Sequence, residues 1–337
     1  MSDSIRVGLL GCGMITQRSH APSYAAIPGV EITALCDLDA DRMATVKEKH
    51  APKAALFTDY HELLQSGLVD AVSVATPVYL HCPMTLAALE AGSHVLCEKP
   101  MGMSQLETTQ MVAAAKTAGK VLQINLSRRY DRFYQTIGGL VSEGRLGEVR
   151  HMRAIRVHPT APDQGWAPGA TWFVTRSQGG GIVGDIGVHV GDTMLWFLGE
   201  VESVSAATAT LRPGIDVVDN ATALFRFCSG ATGVLELSWT SPVNYTCFEI
   251  HGSEGILLAD APASGIRIRQ RNGEVVEIPE AEYLPASGNS FECFARAIAG
   301  TALTPVPGET GHAIQLVLDA VVASGEQGGV PVPVVKA

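Results

Sequence analysis

Up to residue 126, short runs of β-branched and apolar residues alternate with segments whose apolar positions recur at helical spacing. The runs are Ile5 to Leu10, Val30 to Cys36, Ala55 to Phe57, Ala71 to Ala75, His94 to Cys97 and Val121 to Leu126. Between them, Pro83 to Ala91 reads as a helix stopped by Gly92. Gln105 to Ala118 reads as a second, with Ser104 at its N-cap, Glu107 three residues on and Gly119 at its end. Strands alternating with helices predict βαβ units, and six of them predict one doubly wound parallel sheet.

The grammar changes after Leu126. Val149 to His158 is a long extended run, followed by a Gly/Pro/Trp-rich loop (Pro159 to Gln178), the triplet Gly179-Gly180-Gly181 and an apolar helix to Leu198. Strands then succeed one another with few helices between them: Val201 to Leu211, Ala221 to Phe227, Ala231 to Thr240, Tyr245 to His251, Ile256 to Leu258, Ile266 to Gln270 and Glu274 to Ile278. Arg271-Asn272-Gly273 joins the last two as a hairpin. Helical segments Phe291 to Ala299 and Gly311 to Ser324 precede an extended tail, Val330 to Val335. The expected architecture is an α/β domain over 1–126 and an α+β domain with a mostly antiparallel sheet over 127–337.

At 337 residues the chain is long enough for two cores of that kind. Its 24 basic residues against 34 acidic ones give a net charge of −10, which repels polyanions and excludes nucleic acid and anionic membranes as main partners. Met1-Ser2-Asp3-Ser4 leads straight into a strand, with neither a basic nor an apolar leader segment, so a soluble, unexported protein is expected. The seven cysteines show no CxxC spacing, which fits reduced core thiols in a cytoplasm rather than disulfides or zinc. The histidines lack HExxH spacing, so a metal hydrolase is disfavoured and no metal is expected.

Two motifs carry chemistry. After the first strand comes Gly11-Cys12-Gly13-Met14-Ile15-Thr16, opening a helix, with Asp37 at the end of the next strand. Gly11 suits a tight turn, Gly13 a side-chain-free approach to a pyrophosphate, and the helix N-terminus supplies partial positive charge. Asp37 accepts ribose hydroxyls and repels a 2′-phosphate, so NAD is favoured over NADP, although Arg42 could reach such a phosphate. The second motif lies at the ends of strands four and five, where Thr76-Pro77 with His81, and Glu98-Lys99-Pro100, stand at the carboxyl edge that binds ligands in open α/β sheets.

These elements, together with Ala91 to Pro100, with Gly179-Gly180-Gly181 followed by Asp185 and His189, with Phe248 to Gly255 and with Ser324 in the late helix, resemble the glucose-fructose oxidoreductase, inositol dehydrogenase and MocA-like family over nearly the whole chain. The resemblance implies a Rossmann domain joined to an open-faced sheet domain, in homodimers or homotetramers built through that sheet. It implies coenzyme contacts at Gly11, Gly13, Met14, Ile15, Asp37, Arg42, Thr76, Pro77, His81, Glu98 and Lys99, and catalytic roles for Lys99, Asp185 and His189. Substrate contacts would come from those three and from Arg129, His158, Trp172 and Tyr245. In the Arg128-Arg129-Tyr130-Asp131 stretch, Ser127 and Arg132 depart from the family's usual Asn and Pro.

Asp185 and His189 are four apart and surrounded by apolar residues, so in a helix they share a face and must be paired or line a cavity; Asp192 follows three further on. The expected chemistry is oxidation of a secondary hydroxyl of a sugar or cyclic polyol. His189, held by Asp185, takes the proton while Lys99 holds the same oxygen, or the two exchange roles. An NAD-dependent glycosidase acting through transient ring oxidation, or a cofactor-sensing regulator, are the alternatives. Few basic residues beyond Lys99 and Arg129 crowd the expected cleft, which favours a neutral over a phosphorylated substrate.

Overall fold

A computed structural model describes residues 4–260 and 265–334; Met1, Ser2, Asp3 and Val335, used in the reading above, lie outside the described residues. The chain forms two compact units, one of residues 1–126 with 287–312, the other of 127–286 with 313–337.

The first unit holds six strands, β1 (Ile5–Leu10), β2 (Val30–Cys36), β3 (Ala55–Phe57), β4 (Ala71–Val74), β5 (His94–Cys97) and β6 (Leu122–Ile124). They are parallel, in the order β3-β2-β1-β4-β5-β6. All four residues of β4 are buried, as expected of a central parallel strand with helices on both faces. The strand order reverses between β1 and β4, so a crevice opens at their carboxyl ends. The helices are α1 (Ala21–Ala25), α2 (Ala40–His50), α3 (Tyr60–Gln65), α4 (His81–Glu90) and α5 (Gln105–Ala118). Ser104 caps α5 through the Glu107 N–H, and Gly119 ends it in the left-handed region. The Glu107 carboxylate accepts from Met103 N rather than closing a box on Ser104.

Assigning all of 127–337 to one domain needs correction. Ser287–His312 belongs to the first unit, where Gln123 Nε2 donates to the Ser290 carbonyl at 2.8 Å and Phe291 packs edge-on against His20 and Tyr24. Its helix, Ser290–Ile298, is amphipathic and completes the apolar core with Phe291 and Phe294. These are tertiary contacts made from far along the chain, which local periodicity does not reveal.

The second unit contains β7 (Val149–Val157), β8 (Val201–Ala209), β9 (Asn220–Phe227), β10 (Thr232–Ser238), β11 (Tyr245–Gly252), β12 (Gly255–Ala259), β13 (Ile266–Gln270), β14 (Val275–Ile278) and β15 (Val332–Pro333). They form one sheet, β14-β13-β12-β11-β7-β10-β9-β8-β15, in which β7 and β10 are parallel and the other described neighbours antiparallel. Helices α6 (Arg132–Ser142) and α7 (Val188–Leu198) cover one face: Tyr134 meets Phe248 edge-on, and Gly187 lies against Leu237. The helix α6 was not foreseen, its glycine pair masking it; a Cβ on Gly138 would press closely on the Trp196 and Phe197 rings. The residue-by-residue alternation places Met152, Ala154, Arg156, Thr246 and Phe248 toward the helices, and Arg153, Ile155, Cys247 and Glu249 on the other face. Ser324, in helix Gly308–Glu326, accepts from Ala206 N and donates to the Val330 carbonyl, which ties the late helix to β8.

Candidate functional site

In the first unit, the turn after β1 is shaped by its glycines. Gly11 has φ +93°, and a Cβ there would collide with the Ala75 carbonyl oxygen, which stands at the end of β4. A Cβ on Gly13 would meet nothing within 4 Å, so packing does not demand glycine there. What it leaves is an open approach to backbone at the start of a helix, which is what a pyrophosphate requires. Thr16, which replaces the usual third glycine, is buried and donates to the Gly11 carbonyl at 2.7 Å, closing the turn with a side chain. A π-helical turn, Thr16–His20, follows. The Asp37 carboxylate accepts from Cys12 N at 2.6 Å and Asp39 N at 2.9 Å, which fixes it beside the turn with lone pairs left for ribose hydroxyls. Arg42 is exposed and pairs with Asp39. Half-buried Met14 and Ile15 lead into the helix, and Thr76 and Pro77 form the facing turn after β4. The residues present fit a dinucleotide.

Two of the expected coenzyme contacts, His81 and Glu98, have their side chains engaged within the first unit. Buried His81 lies between the two strand-end turns, with Nδ1 2.8 Å from the Pro100 carbonyl oxygen and Nε2 2.9 Å from that of Thr76; the neutral ring donates to one of them at a time. Burial pushes its pKa below the ordinary histidine value. Glu98 is only 8% exposed. One carboxylate oxygen takes hydrogen bonds from His20 Nε2 (2.8 Å) and Asn125 Nδ2 (2.6 Å), while the other accepts the Lys99 N–H at 3.2 Å. His20 Nδ1 in turn meets Ser73 Oγ at 2.8 Å, and Tyr24 donates to that same oxygen. Burial would raise the Glu98 pKa, but the hydrogen bond and charge of His20, then Asn125 and Lys99, outweigh it and hold the carboxyl at about 2. This buried carboxylate therefore anchors the backbone that presents Lys99. His20, Ser73 and Asn125 were not foreseen; a lone histidine shortly after the glycine turn carries no local signal.

In the second unit the triple glycine has a steric reason. Gly181 has φ +118°, and a Cβ on Gly180 would collide with the Trp172 and Phe173 carbonyls. The chain then winds through a π turn, Val183–Gly187, into α7. Asp185 sits in the π turn and His189 in the first α-helical turn; four residues are about one turn at either pitch, so they share a side. Asp185 also acts electrostatically on His158, whose pKa burial lowers and whose Nδ1 lies 2.7 Å from the Thr160 carbonyl. Trp172 stacks on Phe173 at 3.6 Å, half-buried.

Arg129 and Tyr245 are placed as follows. The Arg129 guanidinium makes a bidentate bond to Asp192, which is only 2% exposed, and lies over Trp196. It satisfies a core carboxylate. Tyr245 stands opposite Val157 and alternates with Thr246, so it falls on the sheet face away from α7. A hydrogen bond with Cys247, with some burial, raises its pKa to about 12.

A doubly wound sheet with a glycine turn, an acidic residue after β2 and a lysine at the end of β5 defines a dinucleotide-dependent oxidoreductase. Residues 5–126 match the oxidoreductase family's NAD-binding Rossmann fold, and residues 134–258 match the GFO/IDH/MocA C-terminal domain. The chain belongs to the GFO/IDH/MocA oxidoreductase family, and its first unit is an NAD-binding Rossmann domain. Among relatives, myo-inositol 2-dehydrogenase of Thermotoga maritima is 31% identical, covering 76% of this chain and 75% of its own. The 1,5-anhydro-D-fructose reductase of Ensifer adhaerens is 31% identical over 80% and 81%. Among solved structures, the WlbA dehydrogenase of Bordetella pertussis, in complex with NADH and UDP-GlcNAcA, superposes with a TM-score of 0.88 at 26% identity over 99% and 100% of the two chains.

Proposed function

We propose that this protein is an NAD-dependent dehydrogenase acting on a secondary hydroxyl of a sugar or cyclic polyol, with Lys99, Asp185 and His189 as its proton-handling residues. The observation that carries the reading is the setting of Lys99 in the first unit. It follows β5 on the same sheet edge as the glycine turn, and its backbone is fixed by the buried Glu98 carboxylate. The sugar and polyol activities in the names of the relatives support the substrate class. NAD, when bound, supplies the acceptor for the hydride that leaves the carbinol carbon. The chain's own part is to hold and deprotonate the hydroxyl. His189, oriented by Asp185, takes the proton, and the Lys99 ammonium binds the same oxygen and favours its alkoxide form.

The preference for NAD follows from the carboxylate of Asp37, and the free cysteines fit a reducing cytoplasm. The uncovered sheet face, with Leu224 58% and Tyr245 45% exposed, is the surface through which copies of the chain would associate; sedimentation of the purified protein tests this.

The test of the reaction is NADH formation across inositols, aldoses and anhydrosugars. Lys99→Met and His189→Ala are each expected to lower turnover by about 10²–10⁴. Turnover within a few-fold of wild type in both variants, or release of free sugar from glycosides with no net NADH, overturns the assignment.

A further inference from the structure

Two adjacent arginines of the second unit meet opposite fates. Arg129 is satisfied by Asp192. Arg128 instead lies with its guanidinium carbon 4.9 Å from the centre of the Tyr134 ring and 5.5 Å from that of Phe248. Its Nη1 is buried and finds no hydrogen-bond partner among the described residues. The aromatic faces attract the cation, but they accept none of its in-plane N–H bonds. Buried polar atoms are nearly always partnered, and a charged donor left without an acceptor is the costlier kind.

A second cation stands close by. Arg156 points to the same sheet face, opposite Thr246, and donates to the Thr246 hydroxyl at 2.9 Å; Phe248 is two residues further along that strand. Burial lowers the Arg128 pKa, the field of Tyr134 opposes this, and the field of Arg156 adds to the lowering. The nearby carboxylates are engaged elsewhere: Asp192 holds Arg129, and Asp131 caps α6 through Phe133 N. Arg156 also acts on His158, as does Asp185. His158, one of the residues assigned above to the substrate, follows Arg156 by two residues, just past the end of the same strand.

We propose that Arg128 and Arg156 form a subsite for an anionic substituent, a carboxylate or phosphate, on the hydroxylated substrate. The inference rests on the dehydrogenase reading for the identity of the ligand as substrate, but the subsite is testable by binding alone. It reverses the expectation of a neutral substrate, which counted Arg129 as the available cation and overlooked these two.

The experiment is calorimetric titration of the full-length, NADH-loaded protein with D-glucuronate, D-glucose 6-phosphate and D-glucose, with NADH formation from NAD measured in parallel. At least one anion is expected to bind about tenfold or more tightly than glucose, the scale of one charge-assisted hydrogen bond. Which anion binds distinguishes carboxylate from phosphate. Arg128→Met should erase that preference while leaving glucose binding in place, and Arg128→Lys, which keeps the charge and loses the fork, should restore only part of it. Arg156→Met gives an independent test if Arg128→Met does not fold, as judged by circular dichroism. Anion binding no tighter than glucose, or a preference that survives both Met variants, overturns the subsite. Anions that bind without forming NADH would keep the subsite and sink the dehydrogenase reading; oxidation of glucose with anions ignored would do the reverse.

Discussion

Replacing Glu98 by Gln removes one charge from a nearly dry network while keeping its shape. The folded carboxyl is held at about 2 against an ordinary 4.5, a gap worth about 3 kcal/mol in favour of the ionised form. Because the folded value lies below the unfolded one, this contribution is complete above the unfolded value and is lost as pH falls through the folded value. Removing one partner of a buried charge pair typically costs about 3–5 kcal/mol, and the amide keeps a single acceptor oxygen, which can serve His20 and Asn125 or Lys99 N but not both sides. All four tryptophans lie beyond residue 160, in the second unit, so their fluorescence would not report on this network. Urea unfolding followed by circular dichroism is the suitable assay. At neutral pH the variant should be less stable by about 2–4 kcal/mol, and the gap to wild type should close by most of that amount between about pH 5 and pH 2. Parallel stability curves over that range would refute the view that His20 and Asn125 hold an ionised carboxylate beneath Lys99.

Gly11→Ala and Gly13→Ala should separate folding from binding. The first places a Cβ against the Ala75 carbonyl at a left-handed φ and should destabilise the first unit; the second enters open space and should keep the melting temperature while weakening NADH binding, read by fluorescence titration. Arg129→Ala leaves the 2%-exposed Asp192 unpaired and should lower stability by about 3–5 kcal/mol in urea titrations. Asp37→Asn should narrow the preference of NAD over NADP by about tenfold in kcat/KM, since the repelling charge is gone; an unchanged ratio would remove Asp37 from cofactor choice.

Much of the frame was legible in the residues. Alternation of strand and helix signals set out the six-stranded sheet, and Gly119 and Ser104 marked helix ends because capping chemistry is local. The glycine turn and Asp37 stood out by their places after the first and second strands, whereas Lys99, Asp185 and His189 were singled out by the resemblance to the family. What the residues did not disclose depends on contacts between distant segments. Ser287–His312 returns to the first unit through Gln123 and the rings around Phe291. Tyr245 falls on the far face because pairing with Val157 fixes its register, and a shift of one residue would have reversed it. Of two neighbouring arginines, Arg129 found a buried carboxylate and Arg128 only aromatic rings. Local sequence determined which elements form and which residues have chemistry to offer. The tertiary structure decided which charges neutralise one another and which lie among aromatic rings, because a buried charge is governed by whatever the fold packs against it.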